Sequence, residues 1–204
     1  MKANICIFAA AAAILSGCVG DFFQPKVDTA KFYIFRVPEG GASKAEKFSG
    51  NAKVNLLPFT LPAYMGRHQI VSSDGSSGVT ISEFHRWAEL PAAGFNRALV
   101  EGISAQMPGA DVYDYPSVSA SAGALTLRLF VEEFIGELDS EVWLMGRWQI
   151  AGSSQADALD RKFDIKVKCD GSYDSYVSAM NAAIFHLSGQ IAEGISEFAS
   201  KNKK

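Results

Sequence analysis

The sequence has little of what marks most catalytic or metal-binding proteins. Its 204 residues include only 3 cysteines, too few for a disulfide framework and without the close spacing of a zinc or redox motif. None of the histidines, His68, His85 and His186, stands at a metal-ligand spacing from another histidine or a cysteine. The chain also lacks the G-x-S-x-G, P-loop, G-x-G-x-x-G and H-E-x-x-H patterns. We therefore predict no catalytic residues, no metal and no cofactor.

An excess of basic residues is also missing. The chain carries 19 Lys and Arg against 22 Asp and Glu, a formal net charge of -3. Nucleic-acid binding depends on basic groups that neutralise phosphates, so this balance argues against a nucleic-acid partner. Hydrophobic residues make up 48% and charged residues 20%, which is enough apolar material for a folded core. The length is typical of one domain.

The N-terminal apolar run is too short to cross a membrane. It extends from Ile5 to Leu15, behind the basic residue Lys2, whereas a membrane-spanning helix needs about 20 residues. Its length is typical of the apolar part of a secretory signal peptide. The next residues, Leu15-Ser16-Gly17-Cys18, resemble the lipobox of bacterial lipoproteins. The alternative is an ordinary cleaved signal that contains a cysteine by chance.

The lipobox resemblance implies a division of the chain. Residues 1–17 are expected to be a lipoprotein signal peptide, residues 18–30 a lipidated cysteine with its tether, and residues 31–204 a single domain. The Cys18 sulfur would carry a diacylglyceryl group and its amine an acyl chain such as palmitate, which together give stable anchoring. Val19 stands where an Asp favours inner-membrane retention, so we expect an outer-membrane anchor with the domain facing the periplasm.

Period-two patterns predict most of the strands. Alternating apolar and polar residues over Leu125–Phe134, Glu141–Ile150 and Lys162–Cys169 favour an antiparallel meander with one buried face. Cys169 falls on the apolar face and is interpreted as a core thiol. Three further strands are predicted at Lys31–Val37, Lys53–Phe59 and Asp111–Tyr115. Gln69–Ser73 and Val79–Ser82 are predicted to form a hairpin.

Two segments have the helical period. Pro91–Met107 carries an apolar stripe at four-residue spacing and begins with a proline, which is tolerated in the first turn. Tyr173–Ala199 carries a longer stripe behind the capping sequence Asp170-Gly171-Ser172. We therefore predict an α+β fold, with a largely antiparallel mixed sheet and two long amphipathic helices packed on one face.

A group of aromatic and arginine residues is the candidate for partner binding. Tyr64, Phe84 and Trp87 lie outside the main helix stripes, with Arg67 and Arg86 beside them. Aromatic residues and arginine are enriched at interface hot spots, so these five residues are predicted to contact a partner or lipid from loops at strand ends. The alternative interpretation is that the aromatic rings pack in the core and along its edge.

Several segments, in order, resemble the auxiliary lipoproteins of ABC-type transport systems, the family that includes the paraquat-inducible protein C lipoproteins. Leu61–Val71 is similar to a segment of that family with the pattern LPxYLxRxQIV, and Glu83–Glu89 to its tryptophan-containing segment. The later matches are Val131–Phe134, Gly146–Trp148 and Asp170–Tyr173. The resemblance covers about residues 30 to 200. One departure is Leu90-Pro91, where the family has proline before leucine.

The resemblance implies an accessory role without catalysis. Such lipoproteins accompany MCE-domain proteins and membrane transporter components that move phospholipid or other hydrophobic molecules between the two membranes. The lipoprotein would dock the MCE assembly at the outer membrane, and assembly of several copies is left open. The alternatives are a lipid-binding carrier, which needs an enclosed apolar cavity, or an envelope-integrity or stress lipoprotein that binds other envelope partners. A periplasmic hydrolase is the weakest alternative.

Overall fold

The computed structural model describes residues 29–38, 48, 51–114, 124–152 and 158–201. These residues form strands β1 (Lys31–Tyr33), β2 (Ala52–Leu56), β3 (Gln69–Ser73), β4 (Val79–Trp87), β5 (Ala110–Asp114), β6 (Leu125–Gly136), β7 (Glu141–Ala151) and β8 (Leu159–Lys168), and helices α1 (Pro91–Gln106) and α2 (Tyr173–Lys201). A short 3₁₀ helix covers Ala63–Met65. Cys18, the predicted signal peptide and most of the predicted tether lie outside the described residues.

The larger sheet contains the predicted meander. Its strand order is β5-β2-β6-β7-β8, and both the β6–β7 and the β7–β8 pairs are antiparallel. Leu127 pairs with Ile150, and Leu144 pairs with Ile165, so the apolar members of each alternating pattern share one face. All four side chains are buried. The antiparallel meander is confirmed.

Helix α2 covers the apolar face of this meander and packs against β7 and β8. It begins where Ser172 caps it, because the Ser172 Oγ accepts the N–H of Ser175 at 3.1 Å. Its stripe includes Ile184, Leu187 and Ile191, which are fully or almost fully buried, as predicted for an amphipathic helix over a sheet. None of the helices in the described ranges is long and apolar enough to cross a membrane.

Helix α1 packs against α2 and β5. Pro91 occupies its first turn, and the preceding Leu90 offers no side-chain cap. Phe95, Leu99 and Ile103 point into the core and are completely buried. The helix ends close to the predicted residue, before Pro108.

The fold class is confirmed as α+β, but the strands form two sheets rather than one. The smaller sheet has the order β1-β4-β3, with β1 parallel to β4 and β3 antiparallel to β4. In the larger sheet β2 is parallel to both β5 and β6. Alternation shows which face of a strand is buried, but not which strand lies beside it or in which direction.

The ends of two strands differ most from the predicted ones. β1 has three residues, so the predicted strand Lys31–Val37 leaves its partner after Tyr33. β4 continues to Trp87, five residues beyond the predicted end at Ser82. The segment Phe84–Trp87 is therefore part of a strand, whereas the sequence indicated a loop.

Candidate partner-binding surface

A bulge in β4 presents Phe84 to solvent. Gln69 pairs with Arg86, but Val71 pairs with Ile81, so β4 contains extra residues between the two pairings. Bulges of this kind bend a strand and redirect a side chain. Here the redirected ring is that of Phe84, which is 55% exposed.

Hydrogen bonds hold the bulge in shape. The Ser82 Oγ accepts the N–H of His85 at 3.0 Å and also lies 3.1 Å from the Nδ1 atom of that residue. The Arg86 Nε donates to the carbonyl oxygen of Glu83 at 3.1 Å. These contacts order the backbone on both sides of Phe84, so a partner would meet a preorganised ring rather than a chain that must be ordered on binding.

The inner face of the small sheet is fixed to the rest of the domain. The His85 ring stacks on Tyr173 of α2, with ring centroids 4.0 Å apart. The Trp87 ring lies 4.3 Å from that of Phe35, and Trp87 is only 3% exposed. Since side chains alternate along a strand, the neighbours of these residues must point away from the core.

The outer face of the small sheet is the candidate surface, and we call it the outer patch. It consists of Phe32, Ile34, Phe84 and Arg86. Phe32 pairs with Arg86 across β1 and β4. Ile34 lies immediately after the end of β1. Phe32 is 59% exposed and Ile34 is 38% exposed. Large apolar side chains gathered beside an arginine are typical of a binding surface.

The five predicted contact residues do not all lie on this surface. Phe84 and Arg86 belong to the outer patch, and Arg67 is exposed just before β3, beside the end of β4 where the His68 carbonyl accepts the N–H of Trp87. Tyr64 and Trp87 contribute to the core instead. Their side chains therefore fit the alternative interpretation, packing along the core edge.

Tyr64 has a structural hydrogen bond. Its hydroxyl oxygen accepts the backbone N–H of Phe134 at 2.9 Å, which joins the 3₁₀ helix to β6. Burial raises the pKa of the Tyr64 hydroxyl above its ordinary value, although the Phe134 N–H acts in the opposite direction. This hydroxyl stays neutral at physiological pH and contributes to stability.

Sequence reasoning missed Phe32 and Ile34 as surface residues. Their strand was predicted, and its alternation places Tyr33 and Phe35 on the opposite side from them. The side of the alternation that faces solvent was not evident, because both sides are aromatic or aliphatic. Only the packing of Phe35 against Trp87 decides it.

An open groove borders the outer patch. It lies between β1 with its following residues and the first turns of α2, and its volume is about 610 Å³. The Lys31 Nζ donates to the Asp174 carboxylate at 2.6 Å at one end of the groove. This hydrogen bond lowers the pKa of Asp174 below its ordinary value. At the other end the backbone N–H of Arg36 donates to the Asn181 Oδ1 at 3.2 Å.

The thiol of Cys169 has a structural hydrogen-bond partner. The Cys169 Sγ donates to the Glu137 carbonyl oxygen at 3.1 Å, and burial raises the pKa of this thiol, which disfavours the reactive thiolate. No group of three or more His, Cys, Asp or Glu side chains in the described ranges could hold a metal ion.

Comparison with known proteins identifies the family. A family model for the ABC-type transport auxiliary lipoprotein component matches residues 35–192. The chain belongs to this family. The match includes the bulge with Phe84 and Arg86, helix α1 and most of helix α2, whereas Phe32 and Ile34 lie just before it. Membership shows a lipoprotein of the cell envelope that assists transport and supports an accessory role rather than catalysis.

Two curated proteins show the same relationship. The intermembrane transport lipoprotein PqiC of Escherichia coli (strain K12) is 26% identical over 186 residues, covering 91% of this chain and 94% of that protein. PqiC of Shigella flexneri matches with the same identity and coverage. These alignments extend over nearly the full length of both partners, so this auxiliary lipoprotein is similar to them as a whole.

Two solved structures share the fold. A crystal structure of an uncharacterized protein has a TM-score of 0.66 and 23% identity, and covers 81% of this chain and 99% of its own. A Xanthomonas campestris protein has a TM-score of 0.63 and 11% identity, and covers 85% of this chain and 99% of its own. At these identities the likeness shows the fold alone.

Proposed function

We propose that this auxiliary lipoprotein is anchored in the outer membrane through Cys18 and docks an MCE-domain protein of its transport system through the outer patch. The observation that carries the docking proposal is the exposure of Phe32 and Phe84 on the small sheet beside Arg86, with exposed Ile34 immediately after β1. Full burial of an exposed side chain of this size contributes about 1.5–3 kcal/mol before the costs of association, and these three, being about half exposed, would each contribute about half of that. Family membership supports a transport partner.

The anchoring proposal rests on the lipobox residues Leu15 to Cys18. Cys18→Ala removes the sulfur that would accept the diacylglyceryl group, so the protein should leave the membrane fraction. The measurement is fractionation of the inner and outer membranes, combined with the mass of the mature N-terminus. A membrane-bound protein whose Cys18 is unmodified would overturn this part of the proposal.

The docking proposal is tested with Phe84→Ala. The variant removes an exposed ring, so the stability of the domain should hardly change. Capture of the soluble MCE-domain protein should weaken by about tenfold, or about 1.4 kcal/mol. Phe130→Ala is the matched control, because Phe130 is a 45% exposed phenylalanine on β6, in the other sheet.

The two variants separate the outcomes. Loss of capture in Phe84→Ala but not in Phe130→Ala supports the outer patch as the docking surface. Equal capture by both variants and the parent protein excludes it. Trp87→Ala does not serve this purpose, because truncation of a buried tryptophan costs about 3–5 kcal/mol of stability and would mix loss of folding with loss of binding.

A further inference from the structure

The free edge of β1 faces the groove beside α2. The Tyr33 carbonyl oxygen accepts the N–H of Ala88 at 2.8 Å, so the backbone groups of Tyr33 point toward β4. Backbone groups alternate in direction along a strand, which turns those of Phe32 and Ile34 away from β4. The next N–H in that series belongs to Arg36 and reaches Asn181 on α2, which confirms the direction.

The backbone groups of Phe32 and Ile34 have no hydrogen-bond partner among the residues that the structure describes. A short row of unpaired N–H and C=O groups at a sheet edge is a template for another strand. The edge is not blocked by a charged side chain pointing outward at these two positions, since both residues are apolar. The open stretch lies between the Lys31–Asp174 ion pair and the Arg36–Asn181 hydrogen bond.

The groove has the layout of a strand-addition site. An edge strand forms one wall, and Val177, Ser178 and Asn181 of α2 form the other. Peptides that add to a sheet edge combine main-chain hydrogen bonds with pockets for alternate side chains. A lipid acyl chain cannot form hydrogen bonds with these backbone groups, so the exposed edge favours binding of a polypeptide.

Charge at one end of the groove indicates what the peptide carries. Arg36 lines the groove and is exposed, and no carboxylate of the described residues forms an ion pair with its guanidinium. A guanidinium binds a carboxylate with favourable geometry. The opposite end is different, because the Asp174 carboxylate there is already paired with Lys31.

We propose that the docked partner adds an extended segment to the free edge of β1, with apolar side chains against Phe32 and Ile34 and an acidic side chain or terminal carboxylate at Arg36. This inference rests on the proposed docking function and specifies how the partner is held. Main-chain pairing supplies the alignment, and the outer patch supplies apolar contact area.

The test compares two substitutions at one position. Phe32→Ala removes the ring and keeps the backbone N–H, whereas Phe32→Pro removes both. A proline is tolerated at a sheet edge where its missing N–H faces outward, so β1 should still pair with β4. Strand addition predicts that Phe32→Pro binds the soluble MCE-domain protein about tenfold more weakly than Phe32→Ala. Equal affinities of the two variants would overturn the inference.

Hydrogen exchange provides a measurement that does not depend on a proline variant folding. The amides of Phe32 and Ile34 should exchange rapidly in the free protein and become protected when the MCE-domain protein is bound. Unchanged exchange at both amides in a saturated complex would also overturn the inference. Arg36→Gln should weaken binding of the MCE-domain protein and reduce the salt dependence of that binding. Arg67→Gln is the control, and the protection of these two amides in its complex should be unchanged.

The result also separates the two proposals. If the parent protein does not bind the MCE-domain protein, the docking function fails. If the parent protein binds, but Phe32→Ala and Phe32→Pro bind with equal affinity and the amides of Phe32 and Ile34 stay unprotected, docking stands and strand addition is wrong. Protection of the amides by phospholipid vesicles without the protein partner would indicate a lipid occupant and overturn the peptide inference.

Discussion

Gly194 lies where α2 crosses the buried Trp148 of β7, and its replacement tests how the helix is seated on the sheet. A Cβ atom at Gly194 would lie 2.3 Å from the Trp148 Cη2 and 2.9 Å from the Cζ3. Trp148 is completely buried, so its ring cannot turn out into solvent to relieve the contact. Gly194→Ala should therefore force the helix and the sheet apart.

Two opposing effects determine the size of the change. Alanine favours a helix over glycine by about 1 kcal/mol. Overpacking of a filled core costs about 1–3 kcal/mol, and a contact more than 1 Å too short against a rigid ring belongs at the upper end. The expected net loss is about 2 kcal/mol, or a decrease in Tm of about 4–8 °C for a domain of this size.

The assay is urea unfolding of the domain, with Glu193→Ala as the control at an exposed neighbouring position. The double-mutant cycle with Trp148→Phe isolates the clash, because phenylalanine lacks the outer ring atoms that Gly194 approaches. In that background Gly194→Ala should be neutral or stabilising. If Gly194→Ala stabilises the parent protein, α2 does not pack on Trp148 at this distance, and the reasoning is refuted.

Three further predictions concern stability. Leu187→Ala should lower the free energy of unfolding in urea by about 2–5 kcal/mol, because Leu187 is completely buried and its truncation leaves a cavity. A decrease below about 1 kcal/mol would place the residue outside the tightly packed core. Tyr176→Phe should cost about 0.5–1.5 kcal/mol at pH 7, because the Val71 carbonyl oxygen loses its donor. Burial raises the pKa of the Tyr176 hydroxyl above its unfolded value of about 10. The stability that this hydroxyl contributes is therefore complete below about pH 10 and falls at higher pH, so the free energies of unfolding of Tyr176→Phe and the parent protein should converge in alkali. Asp174→Asn should lower stability slightly at neutral pH and low salt. Because the Lys31 hydrogen bond lowers the pKa of Asp174, this loss should disappear as the pH falls below about 4 and the parent carboxylate becomes protonated. A stability difference that persists in acid would exclude the ion pair as its cause.

The helices and the meander were predictable because local sequence determines them. Pro91 starts α1, Ser172 caps α2, and the alternation over Leu125–Phe134 follows from a single buried face. Each of these signals lies within a few residues of the structure that it specifies. The predicted boundaries were therefore close to the observed ones.

The small sheet was not predictable for physical reasons. Pairing of Lys31 with His85 joins segments that are far apart in the chain, and no local pattern records it. The bulge after Ile81 interrupts the alternation, so the predicted strand ended at Ser82. The same interruption made Trp87 look like a loop residue, although its ring is in the core. For the candidate surface, the sequence indicated Phe84 and Arg86, and only packing revealed Phe32 and Ile34.

The pairing of the first described strands with later ones affects the order in which the chain can fold as it emerges, N-terminal part first, into the compartment where it folds. β1 and β2 emerge early, but within the described residues β1 pairs with β4 alone, and β2 lies between β5 and β6. Until those strands emerge, both early segments have unpaired edges, the state in which aggregation is most favourable. The meander and α2 have short connections and can assemble as soon as they are complete. Strand β1 is therefore available to other edge-binding proteins, such as chaperones, until β4 has emerged.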